Sequence, residues 1–302
     1  MNYQPHDRRN RMRTMPRRSA LTVLELLVAI GASGMLAALL LPAIGSARES
    51  ARRVQCVNHQ HQIGVALHAH HNSHSRLPAG WTYDSEGFSA YGWAVALLPM
   101  LEREALARQI DVRRSVAAAP HERARLTSLE MMLCPSDIAD PTFILYEDTD
   151  LLSTGVQPNP STSQNAVSCM PLELPTANYL GVFGTIEPDD MIPAPIGDGT
   201  FLENHATRFR DLTRGLTNTI VVGERTMAQA PSTWFGVVLS GEDAAARVVG
   251  SMLEGLNNSV ADECDFSSRH PGGANFLWGD GHVTFVSEDV DLDLYHLWPK
   301  LR

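Results

Sequence analysis

The sequence predicts an α+β protein in which a long N-terminal helix, half membrane-spanning and half amphipathic, lies against a mainly antiparallel β-sheet domain. Three observations predict it. An apolar run of bilayer length follows a basic head, helical periodicity continues past that run, and the remainder carries strand-and-turn punctuation rich in Gly, Pro, Ser and Asn.

Residues 1–20 hold Arg8, Arg9, Arg11, Arg13, Arg17 and Arg18 against the single acid Asp7, in a chain whose net charge is -10. This split marks 1–20 as a basic leader, and the acidity of the rest argues against nucleic acid as a partner. Leu21 to Leu41 reads LTVLELLVAIGASGMLAALLL, with Glu25 its one charge. At about 1.5 Å per residue it spans roughly 30 Å, so 21–42 is expected to cross a membrane as a helix. A secretory signal peptide has a shorter apolar stretch with small residues beyond it, whereas Ser19 and Ala20 stand before this one. The positive-inside rule sets the N-terminus in the cytoplasm and the chain after Pro42 outside, in a single pass.

An acid in an apolar helix costs about 2.5–3.5 kcal/mol at the bilayer centre, so Glu25 needs a partner. A cut between Ala20 and Leu21 would give Leu21 a free ammonium able to pair with the Glu25 of a neighbouring copy, and the acid becomes an assembly register. The alternative is snorkelling to the headgroups. Pro42 lacks an amide hydrogen and crowds the carbonyl four residues back, so a kink or local loosening is expected there.

Residues 43–75 continue as an amphipathic helix, with Ile44, Ala47, Ala51 and Val54, then Cys56, Ile63 and Leu67, at helical spacing. His59, His61, His68, His70, His71 and His74 crowd this half. His70 and His74 have the i, i+4 spacing of metal ligands, but no carboxylate or cysteine completes a site locally, so a polar helix surface is expected.

Residues 76–302 are expected to form a globular α+β domain. RLPAG at 76–80 breaks the helix, 92–108 and 115–133 contain short helices, and 151–175, rich in Ser, Pro, Asn and Thr, reads as a surface loop. Near the C-terminus, Ala274 to Trp278 and His282 to Val286 are strand-like, and Asp280-Gly281 between them signals a tight turn, giving a β-hairpin over 274–286.

His270, Glu224, Asp280 and His282 invite a catalytic or metal-binding interpretation. The hairpin accounts for the aspartate and glycines without chemistry, so no catalytic residue and no metal ligand is assigned. Gly-x-Ser-x-Gly, His-Glu-x-x-His, P-loop and dinucleotide fingerprints do not occur, and the chain is not expected to be an enzyme. Cys56, Cys134, Cys169 and Cys264 lack C-x-x-C or zinc-type spacing; two disulfides in an oxidising compartment and buried free thiols both remain open.

Ser19-Ala20-Leu21-Thr22-Val23-Leu24-Glu25-Leu26-Leu27-Val28 resembles the prepilin cleavage and methylation motif, in which Glu stands fifth in the mature chain. Counted from Leu21, Pro42 is twenty-second, where type IV pilins and type II secretion pseudopilins also place a proline. The resemblance implies cutting after Ala20 by a prepilin peptidase, N-methylation of Leu21, and assembly through the Glu25 and Pro42 region. Ala20 and Leu21 depart from the usual Gly and Phe.

A second resemblance runs nearly the full length. Cys56, Asn58, Gln62, Ile63, Gly64, Ala66, Leu67, His68 and His71, Leu97 to Glu102, and Cys134 to Asp137 form its first landmarks. Thr217 to Ile220 with Gly223-Glu224-Arg225, and His270 followed after nine residues by Asp280-Gly281, complete them. They are similar to the prepilin-like proteins with a domain of unknown function, number 1559, that abound in planctomycete-type bacteria; Arg214 stands where Asp is usual. This resemblance implies a Cys56–Cys134 bridge pinning helix to sheet, and leaves Cys169 with Cys264.

Together the resemblances imply a prepilin-like structural subunit of a type II secretion or type IV pilus-like assembly. Its implied partners are prepilin peptidase, other pilin-like subunits and the inner membrane, with the C-terminal domain in the periplasm or outside. The alternatives are a membrane-anchored extracytoplasmic enzyme using His270 and Asp280, and a monomeric anchored binding protein. No cofactor is expected. Calcium enters only because pseudopilins can hold it in an acidic C-terminal loop, and Glu288-Asp289-Val290-Asp291-Leu292-Asp293 is such a cluster without the spacing of a calcium loop.

Overall fold

The computed structural model describes residues 22–146, 171–189, 193–258 and 260–302. The expected leader 1–20, the expected cleavage pair Ala20 and Leu21, Cys169 and most of the expected 151–175 loop lie outside the described residues. Two compact units divide the chain, Met1–Arg48 and Glu49–Arg302.

Helix α1 spans Val23–His74 and passes through Pro42. The proline withholds one backbone donor, from the Ala38 carbonyl, and does not end the helix. In the first unit residues 22–48 are all exposed, and the apolar window has a mean hydropathy of 2.2, enough for a membrane span. Thr22 and Glu25 form a capping box at the helix start. Glu25 Oε2 accepts from Thr22 N at 2.9 Å and Thr22 Oγ1 at 3.0 Å, while Glu25 N donates to Thr22 Oγ1 at 3.2 Å.

In the second unit α1 buries one stripe, Cys56, Gln60, Ile63, Gly64, Ala66, Leu67 and His70, spaced as a 3.6-residue period demands. The strands are β1 (Trp81–Tyr83), β2 (Ser89–Gly92), β3 (Thr142–Leu145), β4 (Leu172–Pro175), β5 (Tyr179–Gly184) and β6 (Phe201–Leu202). They continue with β7 (His205–Ala206), β8 (Ile220–Glu224), β9 (Gly236–Val238), β10 (Val249–Ser251), β11 (Gly273–Trp278) and β12 (Val283–Ser287). A five-stranded sheet runs β10-β5-β8-β11-β12, antiparallel except for β5 with β10. The strands β1-β2-β9 form a second antiparallel sheet, and β3-β4 and β6-β7 are two-stranded. The protein is therefore α+β, a long N-terminal helix against mainly antiparallel sheets.

β4 corrects the expected loop over 151–175. Its buried Leu172 and Leu174 flank the exposed Glu173, a two-residue alternation obscured by the Ser- and Pro-rich letters before it.

β5, β8 and β11 are buried end to end, which gives the main sheet a core on each face. Tyr179, Phe183 and Leu277 share one core with Ile63 and Leu67 of α1, while Leu180, Val182, Phe276, Phe266 and Tyr295 fill the other. β11 and β12 pair from Gly273↔Ser287 to Leu277↔Val283 as a hairpin, and Gly281 in its turn has φ 94°, a conformation open to glycine.

The α1 histidines dock on that turn. His61 Nδ1 donates to the Gly281 carbonyl and His68 Nε2 to the Gly279 carbonyl, each at 3.0 Å. A Cβ at Gly64 would stand 3.0 Å from Leu277 Cδ1 and 3.4 Å from Gly281 Cα, so a larger residue would push helix and hairpin apart. Gly64→Leu is expected to lower stability by about 1–3 kcal/mol through overpacking. A urea midpoint for the variant equal to the native one would contradict this contact.

Beside the second core, fully buried Asp265 accepts from Leu253 N at 2.8 Å and Glu254 N at 3.0 Å. Burial raises its pKa to about 6 against the pull of those donors. The folded chain thus holds this proton more tightly than the unfolded chain, whose carboxyl has the ordinary value of 3.8. The group's contribution to stability is complete below pH 3.8 and is lost as pH rises through about 6, by up to about 3 kcal/mol. Asp265→Asn should flatten that part of the stability–pH curve, and an unchanged slope would argue against the shift.

Candidate functional site

Four buried side chains from four separate segments meet on the sheet face that carries α1. Cys56 comes from α1, Cys134 from the loop after the short turn Glu130–Met132, Glu224 from the end of β8, and His270 from the loop entering β11. Their exposures are 0%, 6%, 1% and 2%. One potential ligand atom from each lies within 4.8 Å of all the others. Cys56 Sγ is 2.9 Å from Cys134 Sγ, Cys134 Sγ is 3.5 Å from His270 Nε2, and His270 Nε2 is 3.7 Å from Glu224 Oε1.

Sequence pairing and local turns set these positions. The β8–β11 register places Gly223 opposite Phe276, so Glu224 adjoins Asn275, whose N and Nδ2 donate to its carboxylate at 2.9 and 3.0 Å. Ser268 Oγ adds a third donor at 3.0 Å, and Gln60 of α1 donates to the Asn275 carbonyl at 2.8 Å. Cys134 N donates to Asn178 Oδ1 at 2.9 Å, and Asn178 Nδ2 donates to Asp137 Oδ2 at 2.7 Å. Asp137 also takes Met227 N at 2.8 Å and Arg269 Nε at 2.8 Å. Asn178 Nδ2 also donates to the Arg225 carbonyl at 3.0 Å, which links the Cys-Pro-Ser-Asp and Gly-Glu-Arg segments.

His270 Nδ1 donates to Glu49 Oε1 at 2.6 Å, and Glu49 is itself held by Ser136 Oγ at 3.0 Å and by Arg52. Burial pushes the His270 ring toward neutrality, but its contacts with Cys134, Glu224 and Glu49 outweigh that and raise its pKa to about 10. Burial likewise raises Glu49, and the bonds from His270, Arg52 and Ser136 reverse the effect, leaving it below the usual carboxylate value. The neighbouring Cys56 and burial push the Cys134 thiol up.

The other residues singled out from sequence lie elsewhere. Asp280 and His282 sit at the far end of β11 from His270, about 20 Å away at a rise of roughly 3.3 Å per residue. Asp280 Oδ1 accepts from His282 N at 3.1 Å and from the His282 ring, which stacks on Trp278 at 5.3 Å. His270 therefore joins Glu224, and the hydrolytic pairing of His270 with Asp280 is not assembled. His70 and His74 stack at 4.3 Å with their Nδ1 atoms on the Arg76 and His70 carbonyls. In the acidic cluster, Glu288 accepts from Asn257 at 2.8 Å and Asp291 caps the short helix Leu292–Tyr295.

Cys56, Cys134 and Cys264 are free thiols, and Cys264 Sγ donates to Asp189 Oδ1 at 3.1 Å. The implied Cys56–Cys134 pair is thus adjacent but unbonded. Sequence reasoning missed Glu49, for which no local signal exists, and the Thr22–Glu25 capping box, which the T-x-x-E spacing before an apolar run announces.

Comparison with curated proteins and with solved structures returns no match. A family model matches residues 45–293, most of the chain and every residue of the four-sided cluster. The chain belongs to the family SBP_bac_10, described as a protein of unknown function (DUF1559).

Proposed function

We propose that the chain is a prepilin-like structural subunit of a type II secretion or type IV pilus-like assembly. In this reading it is cut after Ala20, methylated on Leu21, held in the cytoplasmic membrane by the first part of α1, and displays Glu49–Arg302 outside. One observation carries it. From Val23 to Arg48 the helix exposes every residue, is apolar enough for a bilayer, and holds one acid, Glu25, fifth after the proposed cut.

Lipid satisfies the apolar surface but not the carboxylate, which calls for a cation close by. An added Cβ at Gly31, Gly34 or Gly45 would meet nothing within this chain. Each glycine costs the helix about 1 kcal/mol relative to Ala, a cost that close approach of another helix accounts for.

Cross-linking in native membranes tests the reading. Oxidation of a Ser33→Cys variant is expected to give covalent dimers, and monomers alone would support the anchored binding protein instead.

A further inference from the structure

We propose that Cys56, Cys134, Glu224 and His270 bind a divalent transition-metal ion of the zinc class, with Glu49 as the positioning residue behind His270. The ion fastens the Glu49–His74 part of α1 to β8 and to the loops bearing Cys134 and His270. The proposal is independent of the assembly reading, since it concerns only the second unit.

The donor set comes first. Two sulfurs and an imidazole select zinc-like ions over calcium or magnesium, which take oxygen ligands. Tetrahedral ligands at about 2.3 Å for sulfur and about 2.0–2.2 Å for nitrogen or oxygen stand about 3.3–3.8 Å apart. The Cys134–His270 and His270–Glu224 separations of 3.5 and 3.7 Å fall in that window. The Cys56–Cys134 separation of 2.9 Å would open by about 1 Å to reach it.

The surroundings match a structural site. All four ligands are at least nine-tenths buried, and four protein ligands leave no open position for a substrate. His270 presents Nε2 to the cluster while Nδ1 donates to Glu49 at 2.6 Å, the carboxylate–histidine arrangement that fixes a ligating tautomer and strengthens the imidazole as a ligand. Two carboxylates flank the ring, Glu49 at 2.6 Å from Nδ1 and Glu224 at 3.7 Å from Nε2, and their negative charge offsets that of a bound dication. Glu224 is oriented by Asn275 and Ser268, with Oε1 3.7 Å from His270 Nε2 and one carboxylate oxygen within 4.8 Å of both sulfurs. A cleft of about 270 Å³, lined by Gln55, His59, Cys134, Asp137 and Asn178 among others, gives an ion a path to Cys134. A buried His270–Glu224 ion pair beside a Cys56–Cys134 disulfide is the competing state of the same atoms.

The test uses the full-length chain in detergent, purified without chelator or added thiol. The expected results are one divalent metal ion per chain by elemental analysis and, after chelation, a Co²⁺ titration that saturates at one equivalent. The cobalt spectrum should show a thiolate-to-metal charge-transfer band and strong tetrahedral d–d bands. Cys134→Ser removes one of the two sulfur ligands and should lower the charge-transfer intensity by about half, and Glu49→Gln should keep the bands with affinity weakened about 10–100-fold. The native chain alone decides the matter should a variant not fold. A Cys56–Cys134 disulfide peptide in a non-reduced digest, absence of metal, or cobalt bound without a thiolate band would each overturn the proposal.

Discussion

Replacing Glu25 with Ala is expected to leave the chain in the membrane and to abolish its assembly. The acid is unfavourable for insertion by up to about 3 kcal/mol, so its loss should hold or raise the membrane-resident fraction. The same substitution removes the proposed partner of the Leu21 ammonium, and breaking a buried ion pair costs about 3–5 kcal/mol. That is roughly two to four orders of magnitude in an association constant, enough to eliminate cross-linked dimers at native expression. Two further variants separate this role from the capping box. Glu25→Gln keeps an oxygen that can accept from Thr22 but has no charge, and should fail to assemble. Thr22→Ala loses a cap worth about 1 kcal/mol and should still assemble. Assembly by the Gln variant would show that capping, not charge, is what Glu25 supplies.

The second large effect is expected at Arg225, a fully buried guanidinium. Its NH1 donates to the Glu263 carbonyl at 2.7 Å, Nε and NH2 donate to Ser232 Oγ at 3.1 and 2.7 Å, and NH2 also reaches the Ala246 carbonyl. One side chain thus ties the end of β8 to the segments on either side of β10. Burial lowers its pKa to about 10, still high enough to keep the charge at neutral pH. Arg225→Met removes the charge and strands the buried Ala246 carbonyl and the half-buried Glu263 carbonyl, at about 1–3 kcal/mol each, while Ser232 Oγ keeps its bond to the Ala230 carbonyl. A loss near 3–5 kcal/mol is expected, a large part of the 5–15 kcal/mol that usually holds a domain. Arg225→Lys should recover little, because an ammonium cannot span the same fork. Thermal unfolding of the full chain in detergent measures both, and a Met variant within about 1 kcal/mol of native would contradict the bracing role.

The fold class was legible because its signals are local. The apolar run, the helical spacing after it and the alternation in β11 each depend on neighbours in sequence. The parallel pairing of β5 with β10 was not legible, since nothing in either strand specifies a partner more than sixty residues away. The candidate site was half legible. Cys56, Cys134, Glu224 and His270 were each singled out, yet the cysteines were grouped with one another and His270 and Glu224 with Asp280 and His282. A strand carries its ends apart, and β11 does so to His270 and Asp280, while the register with β8 supplies Glu224 instead. The six α1 histidines showed the same limit. Their spacing hinted at metal binding, but His61 and His68 fasten the hairpin turn and His71 stacks on Phe209 at 4.1 Å.

The mature N-terminus is the most direct test of the pilin-like account. Mass analysis of the N-terminal peptide from the membrane-resident chain should find Leu21 first, carrying one methyl group on its nitrogen. Retention of residues 1–20, or a first residue beyond the apolar helix, would contradict it.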